Sequence, residues 1–154
     1  MSYARSVLQE GETIVATGRL HWISYWPAIV FLVAGTLLVW WEHQHWPDSD
    51  VLIASTAITF GVLFVVAFVR AWFIRWITEF AVTNRRVISK RGFIWRETEE
   101  MNMDKVETVD IDQTVLGRLL DYGTIKVMGT GGSNAIEVRR IAAPFDLRNA
   151  IIAK

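Results

Sequence analysis

The chain has 154 residues, with 16 basic and 16 acidic side chains and a formal net charge of zero. This length suits a single domain, but the apolar residues are distributed so unevenly that the two halves have to be considered separately. Because the chain contains no cysteine, disulfide frameworks, thiolate nucleophiles and thiolate metal sites are all excluded.

Residues 1–21 form a polar segment ahead of the first apolar run. Apolar and polar side chains alternate over residues 12–22, which favours a strand added to the edge of a sheet formed later in the chain. Arg5 and Arg19 lie in this segment, and basic residues flanking a span favour the cytoplasmic side. We therefore expect a cytoplasmic N-terminal segment.

Two uncharged apolar runs follow, at residues 22–41 and 51–69, and we expect the second helix to continue to residue 74. About twenty residues at 1.5 Å rise each match the roughly 30 Å hydrocarbon core of a bilayer. A signal peptide is the main alternative for the first run, but the run starts late and has no small-residue cleavage site. The sequence thus predicts a transmembrane hairpin at 22–76 with an outer loop at 42–50.

Tryptophan and arginine residues lie at the ends of the two runs. The predicted interface anchors are Trp22, Trp26, Trp40, Trp41, Trp72, Trp76, Arg70 and Arg75. Tryptophan prefers the headgroup region, and an arginine near a helix end can extend its side chain to that region. The outer loop contains no Lys or Arg. This charge bias predicts a multi-pass protein with both termini in the cytoplasm.

The outer loop contains side chains of types that bind metals, namely Glu42, His43, His45, Asp48 and Asp50. A structural zinc site usually needs four well-placed ligands with supporting groups, and a short polar loop is more often a solvated connection. We therefore expect neither a metal nor another cofactor.

After residue 76 the pattern changes to short alternating runs, which is typical of antiparallel strands. These runs are 77–83, 85–92, 93–102, 105–113, 124–129 and 135–141. A short helical insertion is expected at 114–123, a glycine-rich hairpin turn at 129–134 and a C-terminal helix from Pro144. The core-facing stripe predicted for that helix is Phe145, Leu147, Ile151 and Ile152. Residues 77–154 are therefore predicted to form a cytoplasmic domain, a curved antiparallel sheet closed by a helix.

Six short motifs stand out along the chain, namely Gly11-Glu12, His21-Trp22, Thr83 to Val87, the turn at Gly92, Val106 to Val109 and Gly117 to Ile125. Together they resemble the motifs of bacterial pleckstrin-homology-like domains in small YdbS-like membrane proteins. The resemblance covers nearly the whole chain. It implies an α+β membrane protein of the bacterial inner membrane, in which a two-helix hairpin precedes a pleckstrin-homology-like split barrel with a C-terminal helix. It transfers no catalytic residue, so we expect a protein that is not an enzyme.

A basic cluster, Arg85, Arg86, Lys90 and Arg91, follows the second apolar run closely. A basic residue near an anionic leaflet contributes about 1 kcal/mol, which makes lipid headgroups a candidate ligand. The positive-inside effect alone also places Lys and Arg in this window, so a purely orienting role is an equal alternative. Arg139 and Arg140 are adjacent on a predicted strand, and we expect them on opposite faces.

Two functional hypotheses follow from these features. The first is a non-enzymatic, membrane-anchored binding or scaffold protein that contacts lipids and assembles with copies of itself at the inner leaflet. The small core expected of the cytoplasmic domain favours such assembly. The second is an adaptor that recruits or regulates a protein partner through an exposed strand edge. We expect no nucleic-acid partner.

Overall fold

A computed structural model describes residues 3–92, 97–130 and 135–153 of the chain. It divides into a helical unit, Trp22–Ile74, and a β unit made of the residues before Trp22 and those from Arg75 onward. Part of the predicted strand 93–102 and most of the predicted turn at 129–134 lie outside the described residues.

The helical unit consists of two long helices. A 3₁₀ turn, Trp22–Tyr25, leads into α2, Trp26–His45, and α3 spans Asp50–Ile77. Both are long and apolar enough to cross a membrane. Gly35 allows the helices to approach closely, because a Cβ atom at this position would lie 2.6 Å from the Cβ of Phe60.

The connection between the helices is shorter than the predicted outer loop at 42–50, since α2 continues through His45. Glu42 therefore lies within α2. Its side chain is buried, and its Oε1 accepts a hydrogen bond of 2.9 Å from the Thr56 hydroxyl. The Glu42 Oε2 atom has no hydrogen-bond partner among the described residues. The Thr56 hydroxyl is therefore an important partner of this buried carboxyl group.

Replacing Thr56 with valine is expected to destabilise the hairpin by about 1 kcal/mol, because it leaves the buried carboxyl group less satisfied. Thermal unfolding of the full chain in a mild detergent measures this effect. Thr59→Val is the matched control, because the Thr59 hydroxyl donates to the Ser55 carbonyl of its own helix. Equal melting temperatures for the two variants would contradict a role for the contact between Thr56 and Glu42.

Within its described residues the β unit contains two antiparallel sheets. The first has the order β1-β2-β3-β4, with strands Ile14–Gly18, Glu79–Thr83, Arg86–Arg91 and Glu97–Asn102. The second has the order β5-β6-β7, with strands Val106–Asp112, Tyr122–Gly129 and Ala135–Ala142. Three helices complete the unit, namely α1 (Tyr3–Ser6), α4 (Val115–Leu119) and α5 (Pro144–Ile152). Strand β1, from the segment before the first long helix, forms an edge of the first sheet.

The core lies between the two sheets and α5. It contains Phe80, Val82, Val87, Met101, Ile125, Val127, Ile136, Val138, Ile141, Leu147 and Ile151. The stripe predicted for α5 was wrong at Phe145 and Ile152, which are exposed. Each follows a buried residue directly, and one step along a helix turns the side chain by about 100° away from the core.

The expectation that Arg139 and Arg140 lie on opposite faces is also wrong, since both side chains are exposed. Val138 pairs with Ile125 and Ile141 with Gly123, so two residues of β7 lie opposite one residue of β6. Such a β-bulge interrupts the alternation of side chains along a strand. The positive φ of Arg140, 57°, lies at this irregularity.

The strand register defines two ends of the β unit. At the stem end, β1 leads to His21 and β2 begins two residues after α3 ends at Ile77. Here Glu79 pairs with Lys90. At the far end, β2 and β3 are joined by Asn84 and Arg85. From Arg85 at the far end to Lys90 at the stem end the chain advances five residues, a distance of about 17 Å at roughly 3.3 Å per residue.

Candidate functional site

At the far end, a buried ion pair joins the N-terminal segment to β3. The Glu12 carboxylate is fully buried, and Arg86 Nη2 lies 2.8 Å from its Oε2 atom. Arg86 Nε also donates to Glu12 Oε1 at 2.9 Å. The Thr83 hydroxyl donates to the same Oε1 atom at 2.7 Å. A bidentate pair with an additional donor of this kind holds the two segments firmly together.

This environment alters the pKa of the Glu12 carboxyl group. Burial alone raises the pKa, but hydrogen bonds from the Arg86 guanidinium, the Gln9 amide and the Thr83 hydroxyl outweigh burial and lower the pKa to about 2. Glu12 is therefore a carboxylate at neutral pH, and its charge is balanced by Arg86.

Arg86 has further partners besides Glu12. Its Nη1 atom lies 2.8 Å from Glu100 Oε2, and its Nη2 atom donates to the Val7 carbonyl at 2.8 Å. The hydrogen bond with Glu12 is the main cause that raises the pKa of Arg86. These contacts give Arg86 a structural role, because they join β3 to the N-terminal segment and to β4.

Asn84 completes a clasp, which is the set of contacts that joins residues 11–13 to residues 83–86. Its Oδ1 atom accepts from the Thr13 amide at 3.0 Å, and its Nδ2 atom donates to the Gly11 carbonyl at 3.2 Å. The motif Gly11-Glu12 thus contacts the motif that begins at Thr83, about seventy residues later. Sequence reasoning quoted both motifs but missed their contact. The sequence signal for this contact was the opposite charge of Glu12 in the first motif and Arg86 in the second.

Arg85 is exposed and lines a pocket of about 640 Å³ at the far end. The other lining residues are Gln9, Asn84, Arg86, Asn102, Met103, Asp104 and Lys105. The backbone holds the pocket in place, because the Met103 amide donates to the Arg85 carbonyl at 2.8 Å.

Lys90 and Arg91 lie at the stem end, where both side chains are half-buried. In the strand register Lys90 lies opposite Glu79 on β2, and Arg91 lies opposite Glu97 on β4. The four predicted headgroup residues therefore divide into two pairs at opposite ends of β3. The structure does not place them in one cluster.

His21 connects β1 to the second sheet at the stem end. Its ring stacks on Tyr122 with 5.1 Å between the ring centroids, and its amide donates to the Arg140 carbonyl at 2.7 Å. Burial lowers the pKa of His21, the positive charge of Arg75 lowers it further, and Asp121 opposes the shift. The stacking and the backbone hydrogen bond hold His21, which directly precedes Trp22, against the second sheet.

The predicted interface anchors lie along the two long helices and their ends. Trp22, Trp26, Trp40, Trp41, Trp72 and Trp76 all expose their rings. Arg70 is exposed, whereas Arg75 is half-buried. Of the outer-loop residues with metal-binding side chains, Glu42, His43 and His45 lie in α2, and Asp50 begins α3.

Two antiparallel sheets closed by a C-terminal helix, following two long apolar helices, define an α+β protein with a pleckstrin-homology-like domain. The chain belongs to the bacterial PH domain family, whose family model matches residues 15–154. It matches no curated protein and no solved structure at a significant level. Domains of this class are generally non-catalytic binding modules. Membership of the YdbS-like subfamily stays a prediction.

Proposed function

We propose that this bacterial PH domain protein is anchored in the cytoplasmic membrane and acts as a non-catalytic binding scaffold. In this proposal residues 22–76 form the membrane hairpin, and residues 77–154 form a cytoplasmic domain that the chain joins to the hairpin at its stem end. The observation that supports it best is the strand register, in which Lys90 on β3 lies opposite Glu79 on β2. This pairing brings a basic side chain within two residues of the end of α3.

The helical unit supports the membrane assignment. Most apolar side chains of α2 and α3 are exposed, which is costly in water but favourable in hydrocarbon. The tryptophans near the helix ends fit the headgroup regions. Basic residues flank the hairpin on both sides and are missing from the connection between the helices, which favours cytoplasmic termini.

The headgroup contact is proposed for Lys90 and Arg91. The Debye length at physiological ionic strength is about 8 Å. Arg85, in the connection before β3, lies roughly 17 Å from Lys90 along the chain, so its attraction to a leaflet at the stem end is largely screened. Arg85 therefore has no part in the proposed contact, and Arg86 is already neutralised by Glu12 and Glu100.

Replacing both Lys90 and Arg91 with glutamine is expected to weaken binding of anionic lipid at least tenfold, since each charge contributes about 1 kcal/mol. Native mass spectrometry of the full chain, titrated with phosphatidylglycerol in mild detergent, measures this affinity. Arg85→Gln combined with Lys105→Gln is the matched control, because it removes two charges from the far end. Equal losses in the two double variants would contradict the proposed site.

The same spectra test self-assembly. A small β unit gains stability when copies pack together, so we expect a defined multimer that survives the loss of Lys90 and Arg91. A monomer that retains specific lipid binding would remove the scaffold part of the proposal and leave the lipid contact.

An adaptor role is the alternative, and the open strand edges favour it. Among the described residues, β4 and β5 end the strand orders of their sheets. Both carry acidic side chains, namely Glu97, Glu99 and Glu100 on β4 and Glu107, Asp110 and Asp112 on β5. A basic peptide could add a strand at such an edge. Protection of β4 amides from hydrogen exchange by a partner protein would support this role.

A further inference from the structure

Helix α4 presents its apolar side chains to the outside. The exposed fractions are 85 % for Val115, 61 % for Leu116 and 79 % for Leu119, whereas the buried residue of the helix is Gly117. A helix on a water-soluble surface has the opposite arrangement, with apolar residues against the core. A cluster of this kind marks an interaction surface.

Local contacts fix α4 in this orientation. Thr114 caps the helix by accepting from the Gly117 amide at 3.1 Å. A Cβ atom at Gly117 would lie 2.6 Å from the Tyr122 carbonyl oxygen, so this face of the helix packs directly on backbone. The Gln113 side chain donates to the same carbonyl at 3.1 Å. The apolar face therefore has no room to turn inward.

The helix lies at the stem end of the β unit. It joins β5 to β6, and Tyr122, the first residue of β6, stacks on His21. His21 directly precedes Trp22, where the first apolar run begins. Phe145, a further exposed aromatic residue, is the second residue of α5 and lies close by, because the Ala143 amide donates to the Asp121 carbonyl at 3.0 Å.

We propose that α4 inserts Val115, Leu116 and Leu119 into the lipid bilayer at the boundary between headgroups and acyl chains. This inference rests on the proposed function and adds a second attachment of the β unit to the membrane. Lipid is the occupant because α4 adjoins the point at which the chain enters its membrane segment. The exposed Arg118 lies between the apolar residues and provides the positive charge that anionic headgroups attract.

Cysteine labelling tests this proposal, since the chain has no native cysteine. Leu119→Cys and, separately, Val115→Cys are labelled with a polarity-sensitive fluorophore in the full chain, reconstituted in nanodiscs containing phosphatidylglycerol. Val15→Cys is the matched control: Val15 is also an exposed valine, at 56 %, but lies near Thr83 at the far end. We expect blue-shifted emission at both α4 positions, and quenching by lipids that carry a nitroxide near the top of the acyl chain. The Val15 label should show neither effect.

The other outcomes overturn the inference in distinguishable ways. Emission at Leu119 equal to that at Val15 would show that α4 stays in water. A blue shift without lipid quenching, which weakens as protein is diluted in lipid, would show that a second copy covers α4. A label at Glu97→Cys, opposite Arg91, reports on the proposed function separately through quenching by headgroup-attached nitroxides. Quenching at Glu97→Cys together with a water-exposed α4 would contradict only the insertion of α4. No quenching at either position would contradict both the insertion and the proposed headgroup contact.

Discussion

Replacing Arg86 with methionine is expected to destabilise the β unit by about 3 kcal/mol. The variant removes two ion pairs and leaves the Glu12 carboxylate buried without its guanidinium partner. Breaking a buried pair by removing one partner is far more costly than removing an exposed one. This loss of stability is measured as the midpoint of urea unfolding. The full chain is unfolded in a nonionic detergent at neutral pH, and pulse proteolysis monitors the unfolded fraction.

Arg85→Met is the control for this experiment, because Arg85 is the exposed neighbour on the same turn. We expect its midpoint to stay close to that of the native chain. The double variant Glu12→Gln with Arg86→Met should recover part of the loss, since it buries no unpaired charge. Similar losses in the Arg85 and Arg86 variants would show that the ion pair does not hold β3 to the N-terminal segment.

The fold was largely predictable because its signals are local. Two uncharged runs predicted the long helices, and alternation predicted the strands from β2 onward and the edge strand β1. The same period-two rule failed at Arg139 and Arg140, because a bulge depends on how β7 pairs with β6. The core-facing stripe predicted for α5 was wrong at Phe145 and Ile152, because the spacing of apolar residues does not determine how the helix is rotated about its axis.

The candidate site was less predictable, because it depends on register. In sequence, Arg85, Arg86, Lys90 and Arg91 form one cluster, but the extended β3 separates them and Glu12 neutralises Arg86. The leucines at 116 and 119 have helical spacing, which predicts a short helix but not which side of that helix faces the core. Gly117 determines the orientation by packing on the Tyr122 carbonyl, a contact that no spacing pattern reveals.

Acidification should produce the second large effect, because the folded Glu12 carboxyl has a pKa of about 2 and the unfolded one has the ordinary value of 4.5. The unfolded chain binds this proton first, so the stabilisation is complete above pH 4.5 and is lost as the pH falls through 2. Allowing for solvent screening at the partly exposed Arg86, the loss is about 2 kcal/mol. The urea midpoint of the β unit, measured with pepsin from pH 4.5 to 2.5, should therefore fall.

The slope of this fall isolates Glu12 from the other carboxyl groups. Glu12→Gln cannot titrate at this position, so its midpoint should change less between pH 4.5 and 2.5 than that of the native chain. Arg86→Met should also flatten the profile, because without the guanidinium the desolvated carboxyl is easier to protonate in the folded state. The difference between the urea midpoints of Arg86→Met and the native chain should therefore become smaller as the pH falls. Parallel profiles for all three proteins would mean that another group controls acid unfolding and that the clasp between the two motifs contributes little.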